Sequence, residues 1–320
     1  MHHDADLINI IAVGLALAFV LGALAHRLRL SPLVGYLLAG VFVGPFTPGF
    51  VADQELANQL SELGVMLLMF GVGLHFSLED LLEVKAIAIP GAIAQIVVAT
   101  ALGWALAWGM GWTPLNGFVF GLALSVASTV VLLRAMEDRR LLDTKRGRIA
   151  VGWLIVEDIA MVLALVMLPV LADTFGDATG DEPASFGRFV VAIAWTLVKL
   201  AAFVAFMLLV GRRVIPWTLE KIAATGSREL FTLSVLAIAL GVAFGSAKLF
   251  GVSFALGAFF AGMLLNGDLS HKAASDSLPL RDAFAVLFFV SVGMLFDPMI
   301  LVEQPIPVLA TFLIITVGKS

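Results

Sequence analysis

The stretch VGWLIVEDIAMVLALVMLPVL, residues 151–171, decides how the rest of the chain is to be interpreted. A helix needs about 20 apolar residues to cross the hydrocarbon core of a bilayer, and this stretch is long enough to do so. Its only charged residues, Glu157 and Asp158, are adjacent in sequence. A carboxylate in the middle of a membrane span is energetically costly, and such residues mark functional sites in membrane proteins.

The composition of the whole chain indicates an integral membrane protein. Hydrophobic residues make up 61% of its 320 residues and charged residues 13%, against about 25% charged in an ordinary soluble domain. Cysteine is absent, which excludes disulfides and cysteine-ligated metals, and the five histidines are scattered without metal-ligand spacing. We therefore predict no cofactor in this segment, and no metal beyond a transported cation.

Apolar runs separated by polar or Gly- and Pro-containing loops predict about eleven membrane spans, the last of them incomplete. An all-α membrane protein is expected, because backbone polar groups in lipid must be satisfied within helices or closed barrels. No soluble domain or nucleic-acid-binding patch interrupts these runs. The spans are placed near 7–25, 31–48, 60–78, 86–108, 114–136, 149–171, 189–210, 230–247, 252–267, 283–300 and from 306 onward.

The basic residues predict the orientation of the chain, because cytoplasmic loops carry an excess of Lys and Arg. With the N-terminus outside, the external loops hold only Arg188 and Lys248 of the 19 basic residues, and Lys199 and Lys319 lie inside spans. The remaining fifteen all fall in cytoplasmic loops. They are Arg27, Arg29, Lys85, Arg134, Arg139, Arg140, Lys145, Arg146, Arg148, Arg212, Arg213, Lys221, Arg228, Lys272 and Arg281.

Two pairs of spans resemble one another. SPLVGYLLAGVFVG (31–44) aligns with SFALGAFFAGMLLN (253–266), and MLLMFGVGLHF (66–76) aligns with VLFFVSVGMLF (286–296). Small-residue motifs recur in membrane proteins because they let helices pack closely, but two successive matches in nearly one register favour a duplication. The copies are seven spans apart, so they have opposite orientation, which is typical of secondary transporters. The matched pairs are Ser31/Ser253, Gly35/Gly257, Ala39/Ala261, Gly40/Gly262, Leu67/Leu287, Val72/Val292, Gly73/Gly293 and Phe76/Phe296.

The duplication predicts one transmembrane transporter domain over residues 1–320. Repeat one covers about 31–171, linker spans cover about 189–247, and a partial second repeat covers 252–320. The chain ends at Ser320, inside the eleventh predicted span. A helix cannot stop unsatisfied in hydrocarbon, so we expect the domain to be incomplete at its C-terminus.

The charged residues of the spans form a candidate cation site. At 1.5 Å per residue, Glu157 and Asp158 lie about 12 Å along their span and Lys319 about 20 Å along a span entering from the opposite face. The alternative is a helix clamp in which acid and lysine only neutralise one another. Two carboxylates with one lysine leave excess negative charge, which attracts cations. The position of Lys199 leaves open whether it pairs internally or faces a cavity.

The segment SVASTVV, residues 125–131, has two interpretations. Ser128 and Thr129 can hydrogen-bond back to their own helix, which is the ordinary role of such hydroxyls. They can also loosen the helix and expose carbonyl groups to an ion. No Gly or Pro marks a break there, so the composition leaves both readings open.

Four segments together resemble a known family: SPLVGYLLAGVFVGP, LGVMLLMFGVGLHFS, SVASTVVLLRAMED and GWLIVEDIAMVLAL. They look like the bacterial monovalent cation:proton antiporter-2 family, with the Kef-type potassium/proton branch most similar, and the similarity runs along essentially the whole chain. The resemblance implies a sodium/proton-antiporter-like fold with inverted-topology repeats. It also implies two broken helices that cross at the midplane beside an acidic pair.

Carried onto this sequence, the resemblance implies that Asp158 binds the ion and the proton. Glu157 would be its partner, bridged to Lys319 in one state, and Ser128 and Thr129 would lie at the first crossover. The second crossover would lie beyond residue 320, as would the cytosolic nucleotide-binding regulatory domain that many Kef-type proteins carry. Glutathione-gated Kef transporters typically have Gln-Asp where this chain has Glu157-Asp158, so the resemblance does not by itself imply glutathione gating.

The resulting hypothesis is an antiporter in a bacterial inner membrane that exchanges K⁺ or Na⁺ for protons by alternating access. A homodimer is expected by analogy with the family. Two alternatives are a ligand-gated potassium efflux system and a sodium-coupled organic-solute symporter of similar fold. An intramembrane enzyme is disfavoured, since it would need a nucleophile–base pair or a metal cluster, and the chain offers neither a Cys nor a His near Glu157 by sequence pattern.

Overall fold

Helices make up the regular structure of the protein in a computed structural model, which describes residues 3–47, 53–74, 78–175, 186–265 and 268–318. Within these ranges there are also two short π-helical segments, Met207–Gly211 and Ile314–Gly318, and no strand, so the all-α prediction is confirmed. The helices are α1 (His3–Arg27), α2 (Pro32–Val43), α3 (Gln54–Gly73), α4 (Leu78–Gly109), α5 (Pro114–Ser125), α6 (Thr129–Asp138), α7 (Lys145–Phe175), α8 (Phe186–Phe206), α9 (Arg212–Ala223), α10 (Arg228–Phe250), α11 (Phe254–Met263), α12 (Asp268–Met294), α13 (Ile300–Glu303) and α14 (Pro305–Leu313).

Every predicted span overlaps at least one helix, and the fifth, 114–136, covers all of α5 and most of α6. Shorter apolar helices are Pro32–Val43, Pro114–Ser125, Phe254–Met263 and Pro305–Gly318. The number of spans and their direction stay predictions. Among the described residues, five helical stretches are long and apolar enough to cross a membrane: Ile10–Arg27, Gln54–Gly73, Leu82–Gly109, Ala194–Ala223 and Arg228–Phe250.

Several helices begin where the sequence supplies a cap. Ser31 and Thr113 each precede a proline at the first helical position, and both side chains accept a hydrogen bond from the backbone of the first turn. Asp53 caps α3 in the same way, accepting from two backbone N–H groups. Proline at the first position lacks a donor that the helix would leave unsatisfied, so this arrangement stabilises the start of a helix.

Helix α9 lies in a segment predicted as a loop. Its apolar residues Ile215 and Leu219 are four positions apart and buried, whereas Arg213 and Trp217 are exposed. This is the pattern of an amphipathic helix. The apolar run predicted from the sequence ends at residue 210, because beyond it only one face of the helix is apolar. In the structure α9 forms the end of the stretch Ala194–Ala223.

The chain divides into two compact units. Unit 1 comprises Met1–Leu74, Gly211–Gly245 and Gly257–Glu303. In it α3 packs along α12, α1 packs along α2, and α2 also packs on α12. These contacts bury an apolar cluster that contains Ala18, Ala39, Val43, Leu287, Val290 and Met294.

Glycines let the helices of unit 1 approach backbone to backbone. A Cβ atom added at Gly40 of α2 would overlap the Val290 carbonyl oxygen and lie 2.7 Å from the Gly293 Cα. A Cβ atom added at Gly262 of α11 would overlap the Phe70 carbonyl oxygen and lie 3.1 Å from the carbonyl carbon of Gly73. Both contacts leave no space for any side chain at the glycine.

The two glycine contacts are related by the sequence match. The match pairs Gly40 with Gly262 and Gly73 with Gly293, and the same register pairs Phe70 with Val290. The neighbours of Gly40 on α12 are therefore the counterparts of the neighbours of Gly262 on α3. Matched residues of the two segments occupy equivalent surroundings in unit 1.

Unit 2 comprises His75–Val210, Ser246–Leu256 and Gln304–Ser320. Here α4 packs against both α5 and α7. Glycines again let neighbouring helices approach closely. Gly121 of α5 lies against the backbone of Thr100 on α4, and Gly152 of α7 lies against Val84 and Ala88 of α4. This packing places the junction of α5 and α6 beside the middle of α4 and of α7.

Candidate ion-binding site

The helix of the fifth predicted span is broken at residues 126–128. Helix α5 ends at Ser125, Val126 and Ser128 have extended backbone angles, and α6 begins at Thr129. The Ser125 hydroxyl donates to the Leu122 carbonyl oxygen (2.7 Å), and the Ser128 hydroxyl accepts from the Val131 N–H (3.3 Å). Both hydroxyls thus bond to nearby backbone, which offers the chain an alternative to a continuous helix.

Side chains of two other helices satisfy backbone groups at this break. The Ala127 N–H donates to Glu157 Oε2 of α7 (3.0 Å). The Ser125 carbonyl oxygen accepts from Gln95 Nε2 of α4 (2.9 Å). Such groups would be costly in hydrocarbon without partners, so irregular backbone at this depth needs protein groups around it.

The two adjacent acids have different surroundings. Glu157 is buried, with 2% of its surface exposed, and is bonded to the break. Asp158 is half-buried, and the Thr129 hydroxyl is a hydrogen-bond partner of its carboxylate. Neighbouring residues of a helix point about 100° apart. Glu157 therefore supports the backbone of the break, while Asp158 meets the first residue of α6.

A cavity of about 190 Å³ lies on the Glu157 side of the break. Its walls are apolar apart from two polar residues, Glu157 and Gln95. The cavity is lined by Gln95, Ala127, Leu132, Ala150, Trp153, Leu154 and Glu157.

The structure brings four of the predicted site residues together: Glu157, Asp158, Ser128 and Thr129 all lie at the junction of α5, α6 and α7. Their roles in ion binding stay predictions. The fifth, Lys319, lies outside the described residues.

Lys199 lies on another helix, α8. It is half-buried, and its ammonium nitrogen lies 5.8 Å from the centre of the Trp195 ring. This contact gives the charge an aromatic neighbour one turn earlier on its own helix.

Sequence analysis did not select Gln95. The only feature that could have identified it in the sequence is an amide side chain in the middle of the apolar run 86–108. Metal ligation finds no support in the part of the chain that the structure describes, where no three His, Cys, Asp or Glu side chains cluster to hold a metal ion. The polar groups at the break are instead carboxylates, hydroxyls, the Gln95 amide nitrogen and backbone groups.

The role of Glu157 at the break can be tested by two substitutions. Glu157→Gln keeps an oxygen that accepts from the Ala127 N–H, so we expect the exchange predicted from the sequence to survive with altered pH dependence or charge movement. Glu157→Leu leaves that donor unsatisfied, which should lower the free energy of unfolding by about 1–3 kcal/mol. Thermal unfolding of the purified variants in detergent measures the difference. Equal destabilisation by Gln and Leu would show that this hydrogen bond does not hold the break.

The helices and the site together define the class of the molecule: an all-helical membrane protein with an acidic pair beside a broken helix. The chain belongs to the sodium/hydrogen exchanger family, since residues 15–320 match the family described as "Sodium/hydrogen exchanger, transmembrane". The resemblance found in the sequence is thereby confirmed, and the relatives place the chain with cation/proton antiporters of the Kef-type branch.

Three relatives illustrate the similarity. The chain is 67% identical to "Putative cation/proton antiporter YbaL" of Escherichia coli (strain K12), over 100% of this chain and 57% of that protein. It is 34% identical to "K(+) efflux antiporter 4" of Arabidopsis thaliana, over 93% of this chain and 50% of that protein. It is 33% identical to "Glutathione-regulated potassium-efflux system protein KefC" of Escherichia coli O45:K1 (strain S88 / ExPEC), over 92% of this chain and 46% of that protein. The chain thus spans about half the length of these relatives.

Proposed function

We propose that the protein is the membrane part of a secondary antiporter that exchanges a monovalent cation, K⁺ or Na⁺, for protons by alternating access. One observation carries the proposal: in a member of the exchanger family, Asp158 meets Thr129 at the first residue after a helix break. Broken helices in transporters expose backbone groups at the site where ions bind.

Exchange follows from the charge of Asp158. An ionised carboxylate away from water is costly when it has no counter-charge. A proton neutralises it, and a partly dehydrated cation compensates it, but both cannot occupy it together. Binding of one therefore expels the other, and the site changes sides only when one of them is bound.

The helix ends at the break support this use of Asp158. The N-terminus of α6 begins at Thr129 and carries partial positive charge, whereas α5 ends in carbonyl groups at Ser125. The first stabilises a carboxylate, and the second attracts a cation. Glu157 adds negative charge next to Asp158 and holds the break through Ala127. The acid pair would thus favour a cation over an empty site.

The names of the relatives support potassium as the first cation to test, because two of them are named for potassium efflux. Glutathione gating is not part of the proposal. A gated potassium efflux pathway without proton coupling is the second candidate, favoured by the KefC relative alone.

Location and assembly are proposed on the same family grounds. We place the protein in a bacterial inner membrane with its N-terminus outside, as a homodimer. The spans would form inverted-topology repeats, with repeat one over about 31–171 and the second from 252 onward. A second crossover helix and a cytosolic nucleotide-binding regulatory domain would belong to the full-length protein.

The proposal is tested with the full-length protein in liposomes that contain a pH-sensitive dye. An outward K⁺ or Na⁺ gradient should drive protons into the lumen, and the dye should report acidification that protein-free liposomes lack. Currents on a solid-supported membrane, compared for Na⁺ and K⁺, then give the ion preference and the net charge per cycle. Cation flux without any luminal pH change would refute antiport and favour the gated efflux pathway.

A further inference from the structure

Helix α1 ends in a tight turn that has an unusual residue at its centre. The Leu30 N–H donates to the Ala25 carbonyl oxygen (2.9 Å). The Arg29 N–H donates to the His26 carbonyl oxygen (3.0 Å). These two hydrogen bonds define a Schellman motif, in which one residue after the helix adopts the left-handed conformation and is usually glycine. Here that residue is Arg29, with a φ of 61°.

Helices α4 and α6 end in the same motif and show both choices of residue. After α4 the left-handed position is held by Gly111, with a φ of 79°, and after α6 by Arg140, with a φ of 55°. In this conformation the Cβ atom of an L-residue crowds the backbone, so glycine avoids a cost that Arg29 and Arg140 carry. A costly backbone conformation that persists is evidence for a use of the side chain.

The turn after α1 exposes both charge and apolar surface. Arg27 and Arg29 are exposed. Leu28 and Leu30 are exposed as well, by 64% and 50% of their surface. We call residues 27–30 the Arg29 turn. Leucines exposed to water lose the stabilisation that burial of apolar surface brings, whereas at the surface of a bilayer they lie in the interfacial region beside basic residues.

Guanidinium groups and phosphates match one another in charge and in shape. An arginine donates two parallel hydrogen bonds to a phosphate, whereas a lysine acts as a point charge. The turn lies in a loop predicted to be cytoplasmic, and the anionic lipids of the cytoplasmic leaflet attract basic segments. Two arginines next to two exposed leucines therefore fit a ligand that combines a phosphate with acyl chains in one molecule.

We propose that the Arg29 turn binds an anionic phospholipid. Arg27 and Arg29 pair with its phosphate, and Leu28 and Leu30 lie against the adjoining acyl chains. Binding of the phosphate by its side chain is the reason for an arginine at a position that suits glycine. The lipid holds the connection between α1 and α2 at the membrane surface, a role separate from ion exchange.

Thermal unfolding of the purified full-length protein in detergent, with lipid added, tests the proposal. A ligand that binds only the folded protein raises Tm as its concentration increases. Phosphatidylglycerol should raise the Tm of the wild type more than phosphatidylcholine, which has no net charge, and an equal rise with both lipids would refute the proposal. Inorganic phosphate should have no effect, and a rise equal to that with phosphatidylglycerol would overturn the assignment to a lipid.

Three substitutions separate the charge of Arg29 from its conformation. Arg29→Gly and Arg29→Asn remove the charge and suit the left-handed conformation. Their Tm without lipid should equal or exceed that of the wild type, but about fivefold more phosphatidylglycerol should be needed for the same rise. Arg29→Lys keeps the charge, so its dependence on phosphatidylglycerol should stay closest to that of the wild type.

Two results for Arg29→Gly would contradict the lipid site. One is a dependence on phosphatidylglycerol equal to that of the wild type. The other is a Tm lowered by the same amount at every lipid concentration, which would place Arg29 in a contact with protein, such as the proposed regulatory domain.

Arg140→Gly is the matched control. It removes one charge and relieves the same backbone conformation, but the leucines that follow are not exposed, since Leu141 is half-buried and Leu142 is buried. Its dependence on phosphatidylglycerol should equal that of the wild type. An equal loss in Arg140→Gly and Arg29→Gly would mean that the lipid responds to net charge alone, and this would overturn the site at the Arg29 turn.

Discussion

Asp158→Asn in the full-length protein should abolish proton-coupled cation exchange, leaving only the background flux of protein-free liposomes. The amide carries no charge, so it neither compensates a dehydrated cation nor takes up and releases a proton. Its oxygen still accepts a hydrogen bond from the Thr129 hydroxyl, and its volume is nearly that of the acid. We therefore expect a folded, monodisperse protein whose transport is lost.

Asp53→Asn is the matched control for this substitution. Asp53 is exposed and caps α3 by accepting from two backbone N–H groups, at 2.9 Å from Glu55 and 3.0 Å from Leu56. Asparagine caps helices about as well as aspartate, so exchange and stability should both stay at wild-type values. If pH-driven cation flux were unchanged in Asp158→Asn, the assignment of Asp158 and the antiport mechanism built on it would be wrong.

The apolar helices could be predicted from the sequence because long apolar runs depend on local composition alone. The break at residues 126–128 could not be predicted from composition, because neither Gly nor Pro marks it, and only the family resemblance pointed to Ser128 and Thr129. Its partners, Gln95 and Glu157, each lie 30 positions away from the group they bind. Only the packing of α4, α5 and α7 brings them together, and no local pattern encodes that packing.

In the candidate site too, the sequence identifies the residues that stand out locally, but it does not show which neighbours they meet. Glu157 and Asp158 stood out because charge within an apolar run is costly, but their different surroundings follow from which neighbour each one meets. Gln95 was overlooked because a neutral amide is a weak signal. The matched glycines could be recognised from the sequence. Their contacts between α2, α3, α11 and α12 could not, because they depend on how the helices pack.

Gly40→Ala should destabilise unit 1 strongly. The new methyl group would overlap the Val290 carbonyl oxygen and lie 2.9 Å from the Met294 nitrogen, so α2 and α12 would have to separate. Overpacking of this kind typically costs about 1–3 kcal/mol, and here the obstacle is backbone that cannot rotate away. Gly262→Ala should cost a similar amount, because its neighbours on α3 are the counterparts of those that Gly40 meets on α12.

Gly241→Ala on α10 is the control that makes this prediction specific to packing. A Cβ atom added there meets no atom within 4 Å, and alanine is favoured over glycine inside a helix by about 1 kcal/mol. Its Tm in detergent should equal or exceed that of the wild type, while the Tm of Gly40→Ala and of Gly262→Ala should both fall. Small residues at helix contacts in membranes work by letting backbones approach. A fall for one of the two glycines only would mean that the matched segments do not bear equivalent packing, despite their equivalent neighbours, and would weaken the case for a duplicated architecture.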